Sequence, residues 1–180
     1  MLKISISGTH SVGKTTLVNS IMNNIMHKNF KIIPEIARIL IGKGFKLNQD
    51  ITEYGIVNYI TDYLFYERTT EADILVSDRS LIDLLAYVKT NNSFKIRNKY
   101  VHLIEEVVYE ESKRFDFYIY LPIEFNLVKD NVRSEDIVYQ KKVDKTIVNL
   151  FKQFKIKPYI ITGSIEQRTN KALKIINGEN

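Results

Sequence analysis

The sequence predicts an α/β fold, a five-stranded parallel sheet with helices on both faces, in one domain spanning residues 1–180. Three observations carry that prediction. Short apolar runs of strand character alternate with helical stretches along the chain. The first such run leads into a glycine-bracketed turn and then a helix. A length of 180 residues, 44% of them hydrophobic, supplies one sizeable core, and no linker or internal repeat divides it.

The elements follow in order. Leu2 to Ser7 is a short apolar strand, and Thr15 to His27 a helix. Phe30 to Ile33 is a second apolar run, broken by Pro34, and a helical stretch from Ile36 stops around Gly42 to Gly44. Asp50 to Thr70 is a long helix with Ile51, Tyr54, Val57, Ile60 and Leu64 at three- and four-residue steps, which predicts that this face is buried. Ile74 to Val76 is a third strand ending at Ser77-Asp78, followed by a helix over Leu81 to Val88 and a polar loop over Thr90 to Ser93. Arg97 to Lys113 is helical, and Phe117 to Leu121 is a strand stopped by Pro122. Ser134 to Phe154 is mostly helical, with Ser134-Glu135-Asp136 as cap and acidic first turn. Tyr159 to Ile161 is the fifth strand, and Ile165 to Ile176 the closing helix.

Composition narrows the function. There is no cysteine, which excludes disulfides and thiolate metal sites and fits a reducing, cytoplasmic setting. Met1-Leu2-Lys3-Ile4 runs straight into a strand without the pattern of a signal peptide, and no apolar run approaches a membrane span of roughly 20 residues. The 26 basic against 21 acidic residues leave a net charge of +5, which suits an anionic ligand, either a mononucleotide or nucleic acid. The basic residues are scattered among acidic ones, in pairs such as Lys141-Lys142, whereas a nucleic-acid stripe is more concentrated. A small-molecule partner is therefore expected ahead of nucleic acid. Nothing in the sequence specifies an oligomeric state.

Gly8-Thr9-His10-Ser11-Val12-Gly13-Lys14-Thr15 matches G-x-x-x-x-G-K-[ST], with a strand before it and a helix after it. The glycines let the backbone turn so that its N–H groups point at phosphate oxygens, and the helix N-terminus adds its positive end. Lys14 supplies a cation for the outer phosphates, and the Thr15 hydroxyl can ligate magnesium. The expected nucleotide-binding residues are Gly8, His10, Ser11, Val12, Gly13, Lys14, Thr15 and Thr16. A guanine-reading Asn-Lys-x-Asp segment is missing: Asn98-Lys99-Tyr100-Val101 and Asn170-Lys171-Ala172-Leu173 both lack the final aspartate.

Asp78 closes an apolar strand, where a carboxylate can hold magnesium or accept a proton; the alternative is an N-cap for the following helix. Together with the phosphate-binding loop, Asp78-Arg79-Ser80 resembles the P-loop nucleoside and nucleotide kinases, among them the deoxyribonucleoside and thymidylate kinases. The longer run Asp78 to Tyr87 and the segment Asp130 to Asp136 are closer to a group of small AAA-type ATPase/kinase-like proteins related to ribosylnicotinamide kinases. That resemblance implies a P-loop NTPase fold with strand order 2-3-1-4-5, ATP and Mg2+ as cofactors, and a nucleoside or nucleotide acceptor. It implies that Glu35, in Pro34-Glu35-Ile36-Ala37-Arg38, is the general base, although a first-turn glutamate favoured by the helix dipole explains it too. Arg38, one turn on, would pair with Glu35 or steady an anionic acceptor. Arg79 would meet an acceptor phosphate, which its guanidinium fork matches.

The resemblance also implies a lid near residues 123–142 whose arginine clamps the transferring phosphoryl group. Arg133 is the arginine there, beside Lys129, Lys141 and Lys142, and Gln140 stands where the family tends to carry a further arginine. Gly163, in Thr162-Gly163-Ser164, lies where nucleotide kinases pack adenine, although a helix start explains it equally. His27 and His102 have no metal-ligand spacing. Tyr54, Tyr59, Tyr63 and Tyr66 form a helical stripe expected to be core ahead of a base-stacking pocket. The expected catalytic residues are thus Lys14, Glu35, Asp78, Arg79 and Arg133, and the metal ligands Thr15 and Asp78. The alternative functions are a switch ATPase with a protein partner and a polynucleotide 5′-hydroxyl kinase.

Overall fold

Five strands make the sheet in the computed structural model, which describes residues 1–25, 29–91, 98–124 and 137–179. They are β1 (Leu2–Ser7), β2 (Phe30–Ile33), β3 (Ile74–Asp78), β4 (Phe117–Tyr120) and β5 (Tyr159–Ile160). All neighbours pair parallel in the order β2-β3-β1-β4-β5, the order the resemblance implied. The register sets Ile6 level with Asp78 and Ser7 level with Tyr120. Because the strands run the same way, the turns after β1, β3, β4 and β5 gather at one edge of the sheet, where ligands of open α/β sheets sit.

Strand alternation divides the core in two. Ile4, Ile6, Val76, Ile119 and Leu121 face α1 (Lys14–Asn24) and α7 (Ile165–Asn177), meeting Leu17, Ile21, Ala172 and Ile176. Ile33, Leu75, Tyr118 and Tyr120 face the opposite layer. That layer holds α2 (Ile36–Gly42), α3 (Glu53–Thr69), α4 (Leu81–Thr90), α5 (Asn98–Ser112) and α6 (Ile137–Gln153). Every residue of α4 from Leu81 to Val88 is buried, because α4 is covered by α5 and α6 as well as by the sheet.

Two expectations about helices need correction. The long helix does not start at Asp50: Asn48–Asp50 is a 3-10 turn, and Thr52 caps α3 by accepting from the Gly55 amide at 3.2 Å. The buried face of α3 matches the expected one only in part: Ile51 is buried, and Ile60 and Leu64 pack half-buried against the core, but the face is rotated. Gly55, Ile56, Tyr59, Tyr63 and Glu67 face inward, while Tyr54 and Val57 are exposed. Gly55 suits this rotation, since a Cβ there would stand 2.6 Å from the Lys46 carbonyl oxygen, a close approach only glycine permits. Glu67 is tolerated inside because Lys3 and Arg114 pair with it. Of the tyrosine stripe, Tyr59 and Tyr63 belong to the core and Tyr54 does not. His102 is exposed, and His27 lies outside the described residues. No described helix is long and apolar enough to cross a membrane.

Candidate functional site

The phosphate-binding turn leaves β1 with Gly8 at φ +147° and Gly13 at φ +90°, and Ser11 also takes a positive φ of +61°. Gly8 is required: a Cβ would lie 2.6 Å from the Leu121 carbonyl oxygen of the neighbouring strand end. The Gly8 amide, expected to face phosphate, instead donates to the Asp83 carboxylate at 3.2 and 3.3 Å. The rest of the turn is braced from several sides. The His10 amide donates to the Tyr87 hydroxyl at 3.1 Å, and His10 Nδ1 lies 2.9 Å from the same oxygen. Gln140 Nε2 donates to the His10 carbonyl at 2.8 Å, and Arg168 Nη1 to the Val12 carbonyl at 2.7 Å. These braces fix the shape of the turn from outside.

Lys14 opens α1 and is buried, with Nζ donating to the Thr9 carbonyl at 2.5 Å. Burial pulls its amine down to about 7; the Arg79 charge adds to the fall, and Asp83, Glu35 and Asp78 oppose it. Next to it, Thr15 Oγ1 donates to Asp78 Oδ2 at 2.6 Å. Burial pushes the Asp78 carboxyl above its usual range, against the Thr15 bond and the Lys14 charge. Asp78 Oδ1 is buried with no hydrogen-bond partner among the described residues, and so is the Ser11 hydroxyl. An orphaned carboxylate oxygen beside a threonine hydroxyl fits a magnesium ion that takes its remaining ligands from phosphate and water. No group of three or more acidic or histidine side chains that could hold a metal occurs among the described residues. Ser80, not Asp78, caps α4, accepting from the Asp83 amide at 3.0 Å.

Arg79 sits at φ +100°, a strained backbone for a non-glycine residue. Its Nε donates to Glu35 Oε1 at 3.0 Å, Arg79 being buried and Glu35 half-buried, and its guanidinium lies 5.4 Å from the centre of the Tyr87 ring. Glu35 Oε2 also meets Arg38 Nε at 3.4 Å. Glu35 precedes α2, but its side chain makes no capping bond. A small pocket opens beside this pair, lined by Ala37, Leu47, Asn48, Tyr59, Arg79 and Tyr87 among others. Lys14, Thr15, Glu35, Asp78 and Arg79 therefore share one edge of the sheet.

Other expected residues fare differently. Arg133, Lys129 and most of the segment 123–142 lie outside the described residues. Lys141 and Lys142 are exposed on α6, while Gln140 is buried against the phosphate-binding turn. Thr16 is exposed beside Thr15. Gly163 has φ +106°, and a Cβ there would run into the Gln167 side chain, which completes a capping box with Ser164. Its amide donates to Glu124 at 3.0 Å. These local contacts account for the glycine. Arg168, unremarked in the sequence, ties the Gly163 carbonyl at 2.9 Å, the Glu124 carboxylate and the Val12 carbonyl together. Asp83 and Tyr87 lie in the run that carries the family resemblance but have no role of their own in it, although Ser80, Asp83 and Tyr87 make a polar stripe at three- and four-residue steps on an otherwise apolar helix.

Residues 3–168 match the family described as AAA domain. The chain belongs to that family. No curated protein matches the sequence significantly. This AAA domain is similar in structure to a thymidylate kinase from Candida albicans, with TM-score 0.71 and 18% identity over 98% of this chain and 91% of that one. It is similar to a deoxyadenosine kinase from M. mycoides with bound dATP, with TM-score 0.71 and 19% identity over 98% of this chain and 100% of that one. It is also similar to NadR protein in complex with NR, with TM-score 0.69 and 14% identity over 99% of this chain but only 50% of that one. At these identities the likeness establishes a shared fold: the P-loop nucleoside/nucleotide kinase-like arrangement of a five-stranded parallel sheet flanked by helices.

Proposed function

We propose that this protein is a kinase that moves the γ-phosphoryl group of ATP to a nucleoside or nucleotide. One observation carries the reading: the phosphate-binding turn with Lys14 and the Thr15–Asp78 pair shares a sheet edge with the Glu35–Arg79 pair and its small pocket. The first set suits a donor triphosphate. The second suits an acceptor with a hydroxyl and a polar or anionic edge, as the names of the similar kinases support. In this reading the turn's amides and Lys14 hold the donor phosphates. Glu35 takes the acceptor hydroxyl's proton while that oxygen bonds to the γ-phosphorus and the bridging oxygen leaves with ADP. Arg79 offsets negative charge on the acceptor side. Thr15 and Asp78 would hold magnesium, which neutralises charge on the outer phosphate oxygens.

The test is ATP consumption and product formation with a panel of nucleosides, nucleoside monophosphates and ribosylnicotinamide, with 5′-hydroxyl oligonucleotides alongside. One small acceptor is expected to raise ATP turnover well above the basal rate, with phosphorylated product in equal amount. Glu35→Gln is expected to suppress transfer while ATP affinity stays near wild type. Equal ATP hydrolysis with every acceptor would overturn the kinase reading. A partner-switched ATPase is the second reading, favoured by the exposed apolar side chains of Tyr54, Val57 and Leu103 along α3 and α5.

A further inference from the structure

Asp83 is wholly buried, and its carboxylate sits where three segments meet. Its Oδ1 accepts from the Ser7 hydroxyl and, at 3.1 Å, from the Ser80 hydroxyl. Both carboxylate oxygens face the Gly8 amide, at 3.2 and 3.3 Å. Ser7 ends β1, Gly8 begins the phosphate-binding turn, and Ser80 caps α4 directly after Asp78 and Arg79. The Asp83 amide returns a bond to Ser80 Oγ at 3.0 Å, so the group closes on itself.

Among the described residues every donor bonded to this carboxylate is neutral, and Lys14 and Arg79 act on it through space. Burial without a directly paired cation is unfavourable, and it pushes the Asp83 carboxyl above its usual range. What a carboxylate offers here is acceptor-only chemistry. With both oxygens facing one N–H, an asparagine in either flip would set its NH2 group against the Gly8 amide or lose the bonds from Ser7 and Ser80.

We propose that Asp83 is a positioning residue that locks the start of the phosphate-binding turn to the Asp78–Arg79 turn, holding donor-side and acceptor-side groups at a fixed spacing. It acts through Gly8, Ser7 and Ser80 and touches no substrate. The inference rests on the reading of Gly8 to Thr15 as a triphosphate site.

The test compares Asp83→Asn, the milder Ser7→Ala, and Leu150→Ala, a core truncation in α6 remote from the turn. Affinity for the magnesium complex of a non-hydrolysable ATP analogue is measured by calorimetry, stability by thermal unfolding, and the Gly8 amide by NMR. Asp83→Asn is expected to weaken the analogue about tenfold or more and to move the Gly8 amide proton upfield, with Ser7→Ala intermediate. Leu150→Ala is expected to lower Tm while leaving the analogue's Kd unchanged. Unchanged affinity in Asp83→Asn, or loss in Leu150→Ala proportional to its lost stability, overturns the proposal. Should Asp83→Asn not fold, a through-hydrogen-bond coupling between the Gly8 nitrogen and the Asp83 carboxyl carbon in the wild-type protein decides, and its absence overturns the proposal. Lys14→Ala binding the analogue like wild type would instead overturn the triphosphate reading itself, so the two failures are separable.

Discussion

Lys14→Met is expected to stabilise the nucleotide-free protein at pH 6 while abolishing triphosphate binding. Lys14 is 5% exposed, and its amine falls from an ordinary 10.5 to about 7 on folding, chiefly through burial. Between these two values the unfolded chain holds the proton and the folded chain does not, so stability rises with pH across that window. The penalty is fully present below pH 7 and gone above pH 10.5. A fall of 10.5 − 7 = 3.5 units corresponds to about 5 kcal/mol at its full extent. Methionine has similar length and no charge, but it leaves the Thr9 carbonyl without the Lys14 donor, a loss of about 1–3 kcal/mol. The net expectation is a gain of about 2–4 kcal/mol at pH 6, shrinking to nothing or reversing near pH 10. Urea unfolding in EDTA at pH 6 and pH 9.5 measures the difference, and calorimetry with an ATP analogue checks that binding is lost. A variant less stable than wild type at pH 6, or a gap identical at both pH values, would refute the reasoning. In the proposed kinase reading the unfavourable burial has a functional sense: phosphate oxygens entering the turn would relieve it and so add to affinity for the triphosphate.

Asp78→Asn should weaken the magnesium dependence of turnover by about tenfold, because Thr15 and a neutral amide hold the ion less well; an unchanged magnesium titration argues against the metal role. Gly8→Ala should destabilise by about 2–3 kcal/mol and impair nucleotide binding, since its Cβ would stand 2.6 Å from the Leu121 carbonyl oxygen; wild-type Tm and affinity would contradict the close approach. Arg168→Met should cost about 3 kcal/mol by stripping donors from the Val12 and Gly163 carbonyls and from Glu124, measured by urea unfolding; a loss below about 1 kcal/mol would mean water replaces it fully.

The phosphate-binding turn was legible in the sequence because its chemistry is contiguous. Two glycines, a lysine and a threonine act within one strand-turn-helix, and their spacing alone brings them together. Asp78-Arg79-Ser80 was legible for the same reason, and the alternation of short apolar strands with helices announced the parallel sheet. Its order followed from resemblance and not from periodicity. The orientation of α3 was not legible, since apolar residues recur on two of its faces and the contacts that select one, such as Gly55 with the Lys46 carbonyl and Glu67 with Lys3 and Arg114, are tertiary. The same limit hid the braces of the turn. Asp83 reaches Gly8 across 75 positions, Gln140 reaches His10 across 130, and Arg168 reaches Val12 across 156. Each is an ordinary helical residue by local pattern, and its partner is set by how α4, α6 and α7 pack on the sheet. The sequence by itself determined what the turn is built to grip, because local backbone and side-chain chemistry suffice for that. Only the tertiary structure decided what holds the turn in shape and which groups face it, because those contacts exist only once distant helices are packed together.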